Sequence, residues 1–344
     1  MLRAATLGLG MMGRHHARIL QALPGVTFAG AVDPLGDRHA AVRDPALVFD
    51  SLDALLGAGP LDLAVVALPT EEHLPVALRL AEAGVHLLIE KPLAASVQEG
   101  EQIVAACERA GVRAAVGHVE RFNPALIALR ERVLAGQLGD VFLVATERIG
   151  PFPERVRDVG VVKDLATHDL DIVTWVADAP IASVAAQTAH RTGRPHEDLV
   201  LVTGRLGSGV PFNSIVDWLT PTKTRRTRVL GDRGMLVAET VTADLTFYEN
   251  GQVASSWTSA QALRGVSEGD ATRYALARAE PLRTELEAFR DLVSGDDDAP
   301  VVTLAQGLAA LRSAEAVLDS AARGETVRLA GAGAAARGSA GGAA

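Results

Sequence analysis

The chain contains a single cysteine and has no surplus of positive charge. Cys107 has no second cysteine with which to form an intramolecular disulfide, and this usage is typical of a reducing compartment. Lys and Arg number 33 against 42 Asp and Glu, which gives a formal net charge of -9. A field of that sign repels nucleic acid and anionic membranes, so we expect neither as a partner. An anionic ligand would need a local cluster of basic side chains.

Long apolar runs are also missing. No run approaches the ~18 residues of a membrane-spanning helix, and the chain starts directly with a strand pattern rather than a secretory signal. We therefore expect a cytoplasmic protein. Residues 331–344 carry no large apolar side chain that could offset the entropy of ordering, so we expect a disordered tail there.

The rest of the composition is that of a globular protein. Hydrophobic residues make up 48% and charged residues 22% of the 344 residues. At ~150 residues per domain, this length favours two domains. We predict one domain over residues 1–119 and a second over residues 120–330.

The first domain alternates short apolar segments with amphipathic ones. Strands that are apolar on both faces and alternate with helices are typical of a parallel, doubly wound sheet. The pattern predicts strands at Ala4–Leu9, Thr27–Val32, Leu63–Leu68, Val85–Ile89 and Arg113–Val116, with helices at Met12–Ala22, Glu71–Ala83 and Ser96–Ala110.

The second domain has a different pattern, which predicts an α+β fold with a mostly antiparallel, open-faced sheet. Asn123 and Pro124 suit the cap and first position of a helix, and a second helix is predicted over residues 163–176. Two closing helices, near 281–293 and 303–323, could pack on either domain. The predicted strands are Asp140–Arg148, Ser183–His190, Leu199–Leu206, Val210–Trp218, Thr227–Leu230, Leu236–Glu239 and Leu245–Glu249.

A glycine fingerprint joins the first strand to the first helix, in the segment Gly8-Leu9-Gly10-Met11-Met12-Gly13. Gly8 permits the tight turn, Gly10 lets the backbone approach a pyrophosphate, and Gly13 lets the helix pack closely on the strand. The segment, Met11 and Met12 included, therefore predicts a Rossmann-type dinucleotide site at the helix N-terminus. His15 and His16, just beyond it, are interpreted as surface or packing residues.

Asp33 ends the second strand, ~20 residues after the last glycine, where a carboxylate binds the adenosine ribose of NAD. Its charge would repel the 2′-phosphate of NADP, and no arginine follows it directly. We therefore expect NAD as the cofactor. Arg38 and Arg43 are the residues that could overturn this preference.

Three further residues have the chemistry of a catalytic set. Lys91 follows the fifth strand at the carboxyl edge of the sheet, where ligands bind in such folds. Asp164 and His168 are four residues apart, so a helix would bring them to one face, with Asp171 on the same side. From spacing alone, a solvated lysine and a structural Asp–His pair explain these residues equally well.

Taken together, the motifs resemble those of the Gfo/Idh/MocA oxidoreductase family over about residues 3–325. The resemblance implies that Lys91, Asp164 and His168 are catalytic and that the Lys91–Pro92 peptide bond is cis. It also implies homodimers or homotetramers formed through the exposed face of the second domain's sheet. Thr70, His73 and Glu90 would lie by the cofactor. The motifs are Gly8-x-Gly10-x-x-Gly13, Leu68-Pro69-Thr70-x-x-His73, Glu90-Lys91-Pro92 and Asp164-x-x-x-His168-Asp169.

Two segments, Gly117–Pro124 and Asp158–Leu165, resemble the branch of the family that oxidises UDP-N-acetylglucosamine at C3, with Lys163 as a departure. The expected reaction transfers a hydride from a sugar ring carbon to NAD without a metal. His168 would accept the hydroxyl proton, Lys91 would stabilise the charge that develops on that oxygen, and Asp164 would position one of them. Lys91 and His168 could exchange roles.

A set of basic side chains favours a nucleotide sugar as the substrate. Arginines in an acidic protein suit a pyrophosphate, and the start of the helix at Asn123 could assist them. The alternatives are an inositol or free monosaccharide as substrate and, from another class, a non-catalytic NAD-binding sensor or regulator. A keto sugar product would suit an aminotransferase as pathway partner. The predicted set comprises Arg121, Arg148, Arg155 and Arg157.

Overall fold

The computed structural model describes residues 1–152, 159–251 and 268–329. Two compact units divide the chain. The first comprises residues 1–119 with 280–311, and the second comprises residues 120–279 with the chain from 312 onward. The tail expected at 331–344 lies outside the described residues.

A six-stranded sheet forms the centre of the first unit, and all its described pairings are parallel. The strand order is β3-β2-β1-β4-β5-β6, so the order reverses between β1 and β4. Ligands bind at such a reversal, outside the carboxyl ends of the strands. The prediction of a doubly wound parallel sheet is confirmed. The strands are β1 (Leu2–Leu7), β2 (Val26–Val32), β3 (Val48–Phe49), β4 (Leu63–Val66), β5 (His86–Glu90) and β6 (Ala114–Gly117).

Four helices alternate with these strands: α1 (Gly13–Leu20), α2 (Leu52–Gly57), α3 (His73–Glu82) and α4 (Val97–Ala110). They cover strands whose residues are buried on both faces. In β4, for example, each residue of Leu63–Val66 is at most 1% exposed. Local chemistry sets the ends of α4, since the Ser96 hydroxyl accepts a hydrogen bond from the backbone N–H of Glu99 and Gly111 adopts a left-handed conformation.

The second unit contains a nine-stranded sheet with helices α5 (Pro124–Leu134) and α6 (Thr167–Ala177), whose residues share its apolar core. β10 pairs with β7 in parallel, and the other described pairings are antiparallel. Leu201 and Ile215, which pair across β9 and β10, are 42% and 40% exposed. The prediction of a mostly antiparallel sheet is confirmed. Its strands are β7 (Val141–Pro151), β8 (Ile181–Ala189), β9 (Leu199–Leu206), β10 (Pro211–Asp217), β11 (Leu219–Gly231), β12 (Gly234–Glu239), β13 (Asp244–Asn250), β14 (Glu268–Tyr274) and β15 (Val327–Arg328).

The closing helices are α7 (Pro281–Ser294) and α8 (Leu304–Arg323). α7 belongs to the first unit, where Leu282, Leu286 and Phe289 join the core formed by β1, β4 and α1. Among the described residues, no helix has both the length and the apolar character needed to cross a membrane.

Candidate active site

The glycine loop between β1 and α1 is shaped by close backbone contacts. Gly8 has φ +89°, and a Cβ atom on it would lie 2.4 Å from the carbonyl oxygen of Ala67. A Cβ atom on Gly13 would lie 1.8 Å from the carbonyl oxygen of Gly8. At Gly10, by contrast, a Cβ atom would meet no atom of the described structure within 4 Å. The loop is therefore open where the fingerprint predicts approach of a pyrophosphate, which fits a dinucleotide.

Asp33 holds this loop against the end of β2. Its carboxylate is buried, and it accepts hydrogen bonds from the backbone N–H groups of Leu9 and Leu35, each at 2.9 Å. Each carboxylate oxygen has a further lone pair that could accept a ribose hydroxyl. The role of Asp33 in binding the ribose stays a prediction, and the structure adds that it positions the loop. Met11, also assigned to the cofactor, is 48% exposed.

The end of β5 brings Glu90 and Lys91 to the carboxyl edge of the same sheet. Glu90 is buried and Lys91 half-buried, and the Lys91–Pro92 peptide bond is cis, as the family resemblance implied. His73 lies beneath this edge, with Nδ1 3.1 Å from the Pro92 carbonyl oxygen and Nε2 3.1 Å from that of Leu68. Burial lowers the pKa of His73 despite these bonds. The His73 ring therefore contacts both the loop that follows β4 and the loop that follows β5. Thr70 lies in the loop after β4 and is half-buried.

His16 corrects an interpretation made from the sequence. It is not a surface residue or a simple packing residue, because it is fully buried and its Nε2 lies 2.7 Å from Oε1 of Glu90. Burial raises the pKa of Glu90, but the hydrogen bond and charge of His16 outweigh that effect and hold the pKa below its ordinary value. Glu90 is therefore a buried carboxylate next to Lys91. Sequence reasoning missed the pair because its members are 74 residues apart.

Glu285 on α7 is a further buried acid in this unit, besides Asp33 and Glu90. Neither of its carboxyl oxygens has a hydrogen-bond partner among the described residues. The pKa of Glu285 is raised well above its ordinary value, mainly by burial and secondly by the charge of Glu90. The burial of Glu285 could have been predicted from the sequence. In a helix, Glu285 lies on the same face as the apolar residues Leu282 and Leu286.

In the second unit, the predicted catalytic residues lie on two kinds of helix. Val162–Ala166 forms a π-helical turn that leads into α6. The single α-helix predicted over 163–176 is therefore wrong for its first turn, and π turns occur frequently at functional sites. Asp164 lies in the turn and is half-buried, whereas His168 lies in the first turn of α6 and is 9% exposed.

The two predicted arginines that the structure describes, Arg121 and Arg148, are each paired with buried or partly buried carboxylates. Arg121 is buried and forms a two-pronged ion pair with Asp171, at 2.8 and 2.6 Å. Asp171, which was expected beside Asp164, therefore has a structural partner. The role of Arg121 in binding a pyrophosphate stays a prediction, and the structure adds that the Asp171 carboxylate offsets its charge.

Arg148 is neutralised in the same way. Its Nε donates to Asp169 at 2.6 Å and its Nη1 donates to Glu120 at 2.8 Å. Burial raises the pKa of Asp169 despite the Arg148 charge, whereas that charge outweighs burial at Glu120 and lowers its pKa. The role of Arg148 in binding a substrate likewise stays a prediction.

Asn123 has a structural role, and the two remaining arginines cannot be placed. The Asn123 side-chain oxygen caps α5 by accepting from the Ala125 N–H, and its amide nitrogen donates to the Thr240 carbonyl oxygen, each at 3.0 Å. A contact between Asn123 and a substrate stays a prediction. Arg155 and Arg157 lie outside the described residues.

Comparison with known proteins places these features in a family. Residues 2–118 match the NAD-binding Rossmann fold of the Gfo/Idh/MocA oxidoreductases, and residues 130–329 match the C-terminal alpha/beta domain of that family. The chain belongs to this family of oxidoreductases, and its cofactor is NAD.

The curated relatives include enzymes that act on different substrates. UDP-N-acetylglucosamine 3-dehydrogenase of Acidithiobacillus ferrooxidans is 28% identical over 296 residues, which are 85% of this chain and 89% of that protein. A solved structure of that enzyme has a TM-score of 0.79 at 27% identity and covers 93% of this chain and 97% of its own. Inositol 2-dehydrogenase of Leifsonia xyli is 32% identical over 219 residues, which are 61% of this chain and 64% of that protein.

Proposed function

We propose that this chain oxidises the C3 hydroxyl of UDP-N-acetylglucosamine to a 3-keto sugar nucleotide, with NAD as the hydride acceptor. The observation that carries the proposal is the extent of similarity to the dehydrogenase of that substrate, which spans 89% of the relative. The match to the inositol enzyme covers 64% of that protein. An alignment over 85% of this chain must include most of the second unit, which is expected to bind the substrate.

The proposed chemistry divides between the two units. In the first, the loop Gly8–Gly13 and Asp33 hold NAD, which when bound accepts a hydride. Lys91 hydrogen-bonds the reacting oxygen and stabilises its developing negative charge. In the second unit, His168 accepts the hydroxyl proton and Asp164 positions it.

A second candidate is oxidation of an uncharged polyol or monosaccharide, such as an inositol. One specific observation favours it. The ion pairs of Arg121 and Arg148 offset the charge of each guanidinium, which weakens its attraction for a pyrophosphate. Replacing Arg121 with alanine would not separate the two candidates, because it strands Asp171 as a buried charge, at a cost of about 3–5 kcal/mol whatever the substrate.

Two expectations about partners accompany the proposal. A 3-keto sugar nucleotide is a carbonyl compound, so the reaction class that would consume it is transamination. Exposed apolar residues on the second unit's sheet, Leu201 and Ile215 among them, support self-association through that face. Size-exclusion chromatography with light scattering tests the oligomer directly.

The substrate itself is tested by a comparison of three compounds. The protein is incubated with NAD and either UDP-N-acetylglucosamine, free N-acetylglucosamine or myo-inositol, and reduced nicotinamide is followed by its absorbance. We expect turnover of the nucleotide sugar at least ~10²-fold more efficient than that of the free sugar, since remote binding energy raises kcat/KM. Preferred turnover of inositol supports the second candidate, and NAD binding without turnover of any compound supports a sensor.

A further inference from the structure

The π turn that carries Asp164 begins against a buried glutamate. Glu197, in the loop before β9, is 8% exposed, and its Oε1 accepts a hydrogen bond from the Val162 N–H at 3.0 Å. The backbone carbonyl of Glu197 accepts a second bond from the Val161 N–H, also at 3.0 Å. The first N–H groups of a helix have no partner within it, and Glu197 accepts hydrogen bonds from two of them, so it anchors the start of the turn.

At Gly160, the chain that leads into the π turn closely approaches the loop that contains Glu197. A Cβ atom at Gly160 would lie 2.0 Å from Oε1 of Glu197, well inside van der Waals contact. Gly160 also accepts a hydrogen bond from the Asp164 N–H at 3.1 Å. The residue that touches the Glu197 carboxylate is therefore bonded directly to the backbone of Asp164.

The segment that contains Glu197 is itself held firmly, and we name residues 194–198 the clamp segment. Arg194 donates to the Val159 carbonyl oxygen at 2.8 Å and stacks over the rings of Phe152 and Trp218. Asp198 is fully buried and accepts from the Thr192 N–H and hydroxyl, each at 2.8 Å. The clamp segment thus contacts Val159, Gly160, Val161 and Val162 in succession.

We propose that Glu197 is a positioning residue for the reaction. By anchoring the start of the π turn, Glu197 sets the positions of Asp164 and His168. This inference rests on the catalytic roles proposed above for those two residues. It assigns Glu197 no contact with substrate or cofactor. A catalytic group displaced by about 1 Å can cost ~10²-fold in rate, so the loss of this anchor should appear in kcat.

The test uses two replacements of similar size. Glu197→Gln keeps an oxygen that can accept from Val162, whereas Glu197→Met fills the space without an acceptor. We expect Glu197→Met to lower kcat by ~10²-fold with KM within about threefold, and Glu197→Gln to recover most of that loss. NAD affinity, which depends on the first unit, should stay within about twofold in both variants.

The contact between Gly160 and the Glu197 carboxylate is tested by a second set of variants, Gly160→Ala and the double variant Gly160→Ala/Glu197→Ala. These variants test the inference even if Glu197→Met fails to fold. The added methyl group should lower kcat in the parent but much less where the carboxylate has been removed, because residues in contact are not additive. Additive effects of the two changes would overturn the inference.

His168→Ala distinguishes failure of this inference from failure of the proposed function. If His168→Ala is inactive while Glu197→Met turns over like the parent, Glu197 does not position the site and the inference is wrong. If His168→Ala itself retains near-normal turnover, the proposed catalytic set is wrong, and the inference is overturned with it.

Discussion

Replacing Glu285 with methionine is expected to stabilise the first unit. The Glu285 carboxyl is buried, and neither oxygen has a hydrogen-bond partner among the described residues. A buried polar group left in this state costs about 1–3 kcal/mol. Methionine has a similar length, adapts to irregular space and carries no group that needs a partner. We therefore expect the free energy of unfolding to rise by about 1–3 kcal/mol.

Glu285→Gln separates the cost of ionisation from the cost of burial. Below the ordinary glutamate pKa of 4.5, Glu285 is protonated in both states, and glutamine resembles this neutral form. As the pH rises, the unfolded chain releases the proton while burial and Glu90 keep it on the folded chain. The parent's stability therefore falls until the pH passes the raised folded pKa. The glutamine variant should match the parent near pH ~4 and exceed it near pH ~8, whereas methionine should gain at both.

The assay has to follow the first unit. The first unit contains no tryptophan, so intrinsic tryptophan fluorescence does not follow it directly. Urea unfolding followed by far-ultraviolet circular dichroism, with hydrogen exchange of the α7 amides, gives the required free energies. Glu287→Gln is the matched control on the same helix, because Glu287 forms a surface ion pair with Arg283 that should contribute at most ~1 kcal/mol. Equal stability of the parent and Glu285→Met at both pH values would refute the reasoning.

Further predictions concern the active site and the lone thiol. Lys91→Met and His168→Ala should each lower turnover by ~10²-fold or more while NAD affinity, measured by fluorescence titration, stays near the parent's; normal turnover in both would remove the catalytic set. Asp33→Ser combined with Pro34→Arg should shift the ratio of kcat/KM from NAD toward NADP, unless the parent already prefers NADP. Burial raises the pKa of the Cys107 thiol to about 11, so a thiol reagent near neutral pH should label it only after unfolding, and rapid labelling of the folded protein would contradict this.

Features set by local chemistry could be predicted from the sequence. The glycine loop, the alternation of apolar strands with helices and the cap at Asn123 each depend on a few neighbouring residues, and all are present in the structure. The two-residue strand β3 was missed because so short a segment has no periodicity to detect. β11 was predicted only from Thr227, because its first half is too polar to resemble a half-buried strand.

Features set by long-range pairing could not be predicted. The partner of Arg121 is 50 residues away and the partners of Arg148 are 21 and 28 residues away, so charge counted along the chain gave no sign of neutralisation. The same holds for His16 and Glu90. The π turn at Val162–Ala166 was missed because the spacing of Asp164 and His168 is equally compatible with an α-helix.

The position of the abstracted hydride tests the central proposal most directly. UDP-N-acetylglucosamine deuterated at C3 is incubated with the protein and NAD, and the reduced nicotinamide is isolated and examined by NMR. The proposal predicts that the deuterium moves to the nicotinamide ring and that the product carries a keto group at C3. Deuterium retained in the sugar, or transfer only from a substrate labelled at C4 or C6, would contradict it.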